Sequence, residues 1–142
     1  MELRKRIAFL WALVMGGFAI HSLADLMPLF WSEEISVSDA GTAPVGMLVF
    51  MMTVSYLVPV AGMLCVLYSS SKTALVINAV LGVFTGLFCI FHMAELVSGF
   101  NPVQLAILPV MAVVGVLLAV DSIKAARKQI FFRQNPRKNG YF

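Results

Sequence analysis

The sequence predicts an all-α integral membrane protein, a four-helix bundle with N- and C-termini cytoplasmic. Three observations predict it. Apolar residues make up 61% of the 142 residues and charged residues only 12%, far from the averages of soluble domains. Four runs free of Asp, Glu, Lys and Arg, at 7–24, 40–71, 73–94 and 96–120, each reach the roughly 18 to 20 residues that cross ~30 Å of hydrocarbon. With the N-terminus inside, Arg4, Lys5, Arg6, Lys72, Lys124, Arg127, Lys128, Arg133, Arg137 and Lys138 all fall on the cytoplasmic side, and Glu33, Glu34 and Asp39 fall outside. That distribution obeys the positive-inside rule, which counts Lys and Arg in short loops. The formal charge of +3 therefore reflects topology. No nucleic-acid partner is expected, since that would require a basic face on a folded surface.

The bundle is expected over residues 1–123, with spans at about 7–31, 45–68, 73–98 and 102–123, followed by a basic cytoplasmic tail over 124–142. The first span follows Arg4-Lys5-Arg6 but is too long for a signal-peptide core and lacks a small-x-small cleavage site, so it is read as retained. Leu10, Val14, Gly17, His21 and Asp25 project onto one stripe that should face protein. Gly16-Gly17 offers a close approach for a neighbouring helix, Pro28 should loosen the helix end, and Trp31 suits the outer interface. The outer loop, roughly residues 32–44, reads as a solvated acidic connector, with a lid over the bundle mouth as the alternative.

In the second span Pro59 removes a backbone donor, so a kink is expected, with Ser55 or its neighbours meeting the freed carbonyl. Ser69 to Lys72 makes a tight inner turn. The third span carries Asn78, Thr85 and His92 at heptad spacing beside a Gly82/Gly86 pair, the marks of a helix interface that is either internal or a dimer seam. The fourth opens with Asn101 as N-cap and Pro102 in the first helical position. Its Gln104, Leu108, Met111, Gly115, Leu118 and Ser122 recur as a packing seam. Pro109 should bend it, and Asp121 should pair with Lys124. The tail mixes six basic residues with Ile130, Phe131 and Phe132, and is expected on anionic lipid headgroups at ~1 kcal/mol per basic residue. Partner docking is the alternative there. A homo-oligomer or a larger membrane complex is left open. Cys65 and Cys89 are separated in depth by roughly 20 Å, so no disulfide joins them within one chain.

The chain's only two histidines each stand one helical turn from a carboxylate, His21 from Asp25 and His92 from Glu95. Spans one and three run in the same direction. At 1.5 Å per residue His21 and Asp25 rise roughly 22 and 28 Å above Arg6, and His92 and Glu95 roughly 30 and 34 Å above Lys72. Four ionisable groups are thus expected to converge near the outer face. Ionisable groups inside membrane helices are functional candidates by default.

His21, Asp25, His92 and Glu95 are a sound donor set for zinc, iron or manganese, and the spacing reverses the Glu-x-x-His logic of carboxylate-bridged metal sites. Interhelical polar glue, at about 0.6 to 2 kcal/mol per hydrogen bond, is the structural alternative. Bis-histidine haem is less favoured, because haem does not require carboxylates one turn from each ligand. Proton or cation transport, and acid–base catalysis on a lipid or quinone, complete the set. No nucleophile motif or phosphate-binding glycine loop is present. The leading expectation is a non-enzymatic membrane module binding a metal ion or small ligand at this cluster; the chief alternative is an accessory or structural subunit.

Leu10-Trp11, Ala24-Asp25, Val58-Pro59 with Met63, and Asn78-Ala79-Val80-Leu81-Gly82 together resemble the small uncharacterised bacterial four-helix membrane proteins of the DoxX-like grouping. The resemblance covers the spans, and not the outer loop or tail. It implies four helices in a bacterial inner membrane. DoxX-like first spans carry a basic residue where this chain has Asp25, so no active-site residue is carried over. The echo of histidine and acid in spans one and three is also what two related hairpins in parallel would show.

Overall fold

The computed structural model describes residues 2–31, 44–69, 71–98 and 102–134, and every regular element in them is helical. Helix α1 (Leu3–Leu26) ends in a 3₁₀ turn, Met27–Trp31, where Pro28 interrupts the α-helical pattern. Helix α2 (Val45–Met52) passes through a π-helical turn, Thr53–Leu57, into α3 (Val58–Tyr68). Helix α4 (Lys72–His92) is followed by the short α5 (Glu95–Ser98), and α6 runs over Pro102–Gln134. Four helical stretches, Leu3–Phe30, Val45–Tyr68, Lys72–Val97 and Pro102–Lys128, are long and apolar enough to cross a membrane. The acidic loop, Asn101 and the end of the tail lie outside the described residues.

The helices form a ring in which α1 packs on α3 and α6, and α4 also packs on α3 and α6. Spans one and three therefore face each other across the diagonal. Trp11 fills the centre, its indole Nε1 donating to Asn78 Oδ1 at 2.8 Å while Asn78 Nδ2 donates to Ser122 Oγ at 2.9 Å. All three residues are fully buried. A hydrogen-bonded amide in that position satisfies groups that lipid could not.

Glycines set the helix separations. A Cβ on Gly86 would lie 2.8 Å from the Gly115 carbonyl oxygen, and one on Gly17 would lie 2.8 Å from Met111 Cγ. The Gly82/Gly86 pair thus belongs to the internal α4–α6 seam, against Ser122 and Gly115. The fourth-span seam is as expected, with Gln104, Leu108, Met111, Gly115, Leu118 and Ser122 all buried.

Several local features go beyond the sequence reading. The helix of the fourth span continues past residue 123, through Lys124 to Gln134, because nothing in Lys-Ala-Ala-Arg-Lys-Gln breaks a helix. Asp121 pairs with Lys124 as expected, with Nζ 3.8 Å away, and is gripped more closely by Arg6, whose Nε and Nη2 stand 2.6 and 2.8 Å from its two oxygens. The planar guanidinium matches both carboxylate oxygens at once, which an ammonium cannot do. Ser55 does not meet the carbonyl freed by Pro59. Its hydroxyl donates to Met51 O at 2.7 Å, Thr53 does the same to Val49 O at 2.7 Å, and the chain absorbs the proline as a π turn closed by Val58 N–H on Thr53 O.

Arg4 donates to Ser69 O, and with the Arg6–Asp121 pair this fastens the start of α1 to the end of α3 and to the body of α6. Ser71 caps α4 by accepting from Ala74 N–H at 3.1 Å. Basic residues of α1, α4 and α6 thus gather at one end, and both histidines lie at the other.

Gly86→Ala is expected to destabilise the bundle by about 1–3 kcal/mol, since the new methyl meets backbone that cannot yield. Gly16→Ala, which meets nothing within 4 Å, should be neutral or stabilising by about 0.5–1 kcal/mol. Thermal unfolding followed by circular dichroism in detergent distinguishes the two.

Candidate functional site

The site residues come from two sides of the ring, His21 and Asp25 from α1 and His92 and Glu95 from α4 and α5. On α1, the turn-to-turn sequence Val14, Phe18, His21 continues the buried face begun by Trp11, so His21 points at the axis. On α4 the matching face runs through Asn78, Thr85 and Cys89 and ends at His92. There the α-helix gives way to a tighter turn, with Met93 N–H on Ile90 O and Ala94 N–H on Phe91 O. The break falls between His92 and Glu95, so Glu95 opens the four-residue α5 instead of continuing α4. Its carboxylate still folds back on the histidine: Glu95 Oε1 lies 3.3 Å from His92 Nδ1.

The two imidazoles meet across the diagonal. His92 Nε2 and His21 Nε2 are 2.8 Å apart, with ring centroids 4.6 Å apart and planes at 80°. His21 Nε2 also has Asp25 Oδ2 at 3.7 Å and Glu95 Oε2 at 3.9 Å. All four predicted residues therefore come together, with His21 Nε2 as the common neighbour. Donor atoms of His21, His92 and Glu95 lie within 4.8 Å of one another, a spacing that can hold a metal ion. Asp25 departs from the expectation that its stripe faces protein. Its side chain is 53% exposed against 10% for His21, which leaves it on the open side of the cluster.

One member was not recognised as a site residue. Gln104, read as part of the fourth-span seam, accepts from His21 Nδ1 through Oε1 at 2.7 Å and donates through Nε2 to Asp25 Oδ1. The carboxylate accepts only, so it fixes the amide with its NH₂ toward Asp25 and its oxygen toward His21. His21 Nδ1 must then carry the proton. In the neutral ring this makes Nε2 a lone-pair nitrogen, and the hydrogen bond between the rings is donated by His92 Nε2. The available signal was chemical: Gln104 is the only amide side chain in the first half of the fourth span, at the level of the histidines.

His92 thus turns Nε2 to His21 and Nδ1 to Glu95 Oε1, 3.3 Å away. Thr85, one heptad below His92, takes no part in the cluster; its buried Oγ1 has no hydrogen-bond partner among the described residues.

A cavity of about 420 Å³ adjoins the cluster, walled by Phe18, Phe88 and the methionines Met47, Met51 and Met52, with His21, Asp25, His92 and Glu95 forming its ionisable patch. Cys65 and Cys89 are free thiols and line no part of it.

Comparison with models of protein families, with curated proteins and with solved structures finds no match. What the cluster does must be inferred from its geometry.

Gln104→Leu is expected to strand both His21 Nδ1–H and Asp25, costing about 1–3 kcal/mol of stability. In protein labelled with isotopic histidine, nuclear magnetic resonance should show His21 protonated at Nδ1 in the wild type. That preference should be lost in the variant.

Proposed function

We propose that the protein is a multi-pass bacterial inner-membrane module that binds one divalent first-row transition metal ion, zinc, iron or manganese, through His21 Nε2, His92 Nε2 and the Glu95 carboxylate, with Asp25 alongside. The observation that carries this reading is the state of the second nitrogen on each ring. His21 Nδ1 is held by Gln104 and, through it, Asp25; His92 Nδ1 has the Glu95 carboxylate 3.3 Å away. Metal-binding histidines characteristically have the non-ligating nitrogen tied to a carbonyl or carboxylate, which fixes the tautomer and presents the other lone pair. Here both remaining nitrogens point at one spot.

Distance and charge support the same reading. Two nitrogens bound at about 2.0–2.1 Å to one ion stand about 3.0–3.4 Å apart in octahedral or tetrahedral geometry. The pair at 2.8 Å needs to open by only a few tenths of an ångström once the bridging proton is displaced. Two neutral imidazoles and two carboxylates balance a charge of +2, so the loaded site is neutral in an apolar setting. Haem would need the nitrogens in line at about 4 Å with a macrocycle between them, so direct ring contact favours a bare ion.

Both termini are assigned to the cytoplasm on the positive-inside distribution, which puts the site near the outer face. Lys124, Arg127 and Lys128, on the continued α6, would then meet anionic headgroups.

A second reading rests on one specific observation. The His21–His92 bond joins α1 to α4, and Gln104 adds α6, so the cluster ties three helices together as polar glue would.

Purified protein equilibrated with zinc, iron(II) or manganese should retain about one ion per chain after gel filtration and show no Soret band. His21→Ala and His92→Ala should each abolish stoichiometric retention, and Asp25→Asn should weaken it by ~10- to 100-fold. No retained metal in the wild type, together with marked thermal destabilisation of both alanine variants, would favour the glue reading instead.

A further inference from the structure

The cavity beside the histidines is larger than an ion requires. At about 420 Å³ it falls within the ~300–1,000 Å³ of small-molecule sites. Its wall is aromatic and thioether: Phe50 and Phe88 have ring centroids 6.2 Å apart, and Phe88 lies nearly parallel to the His92 ring at 5.5 Å and 21°. Met51 and Met52, flexible and polarisable, complete that side. Such a surface accepts a flat ring.

The route of entry follows from α2. This helix has no buried residue and packs chiefly on the π-helical turn that follows it. The wall it makes is one helix thick, with large apolar side chains exposed along it. In a chain whose helices cross a membrane, those side chains face acyl chains, and an occupant reaches the cavity from the lipid phase.

Charge selects the head group. Asp25 and Glu95 are half exposed toward the cavity, at 53% and 51%, and their carboxylates repel a fatty-acid carboxylate or a phosphate while accepting a hydroxyl hydrogen bond. The Gln104 amide and the His92 ring already occupy one oxygen of each, so a neutral donor suffices. We infer that the cavity binds a lipid-soluble phenol. Its ring lies against Phe88 and Phe50, its apolar tail follows the methionines out to the bilayer, and its hydroxyl donates to the carboxylates at the histidine cluster. The inference rests on the cavity and its carboxylates and needs no metal.

The test uses the full chain in nanodiscs, stripped with chelator so that its result is independent of metal binding. A para-alkylphenol with a diazirine in its tail is photolysed, and labelled peptides are mapped by mass spectrometry. Label is expected on 45–55 and on the segment around Phe88. Para-octylphenol should compete at least ten-fold better than para-octylanisole, which keeps the shape but lacks the donor, and decanoate should not compete. Met51→Trp, which fills the cavity, should abolish the mapped label with helicity unchanged, and Glu95→Gln should weaken competition about ten-fold. The inference is overturned if phenol and anisole compete equally, if decyltrimethylammonium competes better than the phenol, or if label spreads over lipid-facing α6 and ignores Met51→Trp.

Discussion

A polar side chain on a helix apolar enough to cross a membrane must find its partners inside the protein, and here the first and third spans find them in each other. The diagonal of the ring is a ladder of such contacts. Near one end the Trp11 indole meets Asn78 and, through it, Ser122. Higher up the Phe18 and Phe88 rings lie 5.9 Å apart between centroids, and above them stand the two imidazoles. The groups occupy matching levels because both helices rise in the same direction at the same pitch. A shift of one residue on either helix would turn one partner by 100° and leave the other unsatisfied in hydrocarbon, which costs several kcal/mol. The contacts therefore act as a register lock as well as a source of stability.

For that diagonal to close, the neighbouring helices must be drawn in, and small residues allow it. Gly86 meets Gly115 with no side chain between the backbones, and Gly62 gives the Trp11 indole its place against α3. The first half of the second span does not follow. None of Val45–Met52 is buried, and Met47, Met51 and Met52 wall the cavity beside the histidines. The π turn before Pro59 marks the change between the two halves.

The four helices were legible because crossing hydrocarbon demands long uncharged runs, and a sequence cannot conceal those. The meeting of His21, Asp25, His92 and Glu95 was legible too, since rise per residue and chain direction fix depth. Depth alone left the rest open. It does not tell which neighbour a side chain turns to, so the pairing of Asp121 with Lys124, its neighbour in sequence, was legible, while the closer Arg6, which reaches it from another helix, was not. For the same reason Gln104 passed as one more seam residue. Its periodicity is that of Leu108 and Met111, and only the coordinates show that its amide stands between an imidazole and a carboxylate. The choice between an internal and a dimeric Gly82/Gly86 seam likewise depends on what lies opposite, which is long-range information absent from one helix's pattern.

The cluster is over-built for a tether. One histidine hydrogen-bonded to one serine or threonine hydroxyl would hold two helices together and need no carboxylate. Here each imidazole has its Nδ1 fastened, and the two Nε2 atoms face each other with room for one proton. Carboxylates flank that point, one from each side of the diagonal, half exposed where a helix interior normally excludes charge. Fastening the outer nitrogens turns the inner ones toward each other, and the carboxylates supply the negative charge that a convergent pair of neutral bases lacks. A divalent ion at that point would balance both carboxylates, which is the physical ground on which a binding site is proposed there.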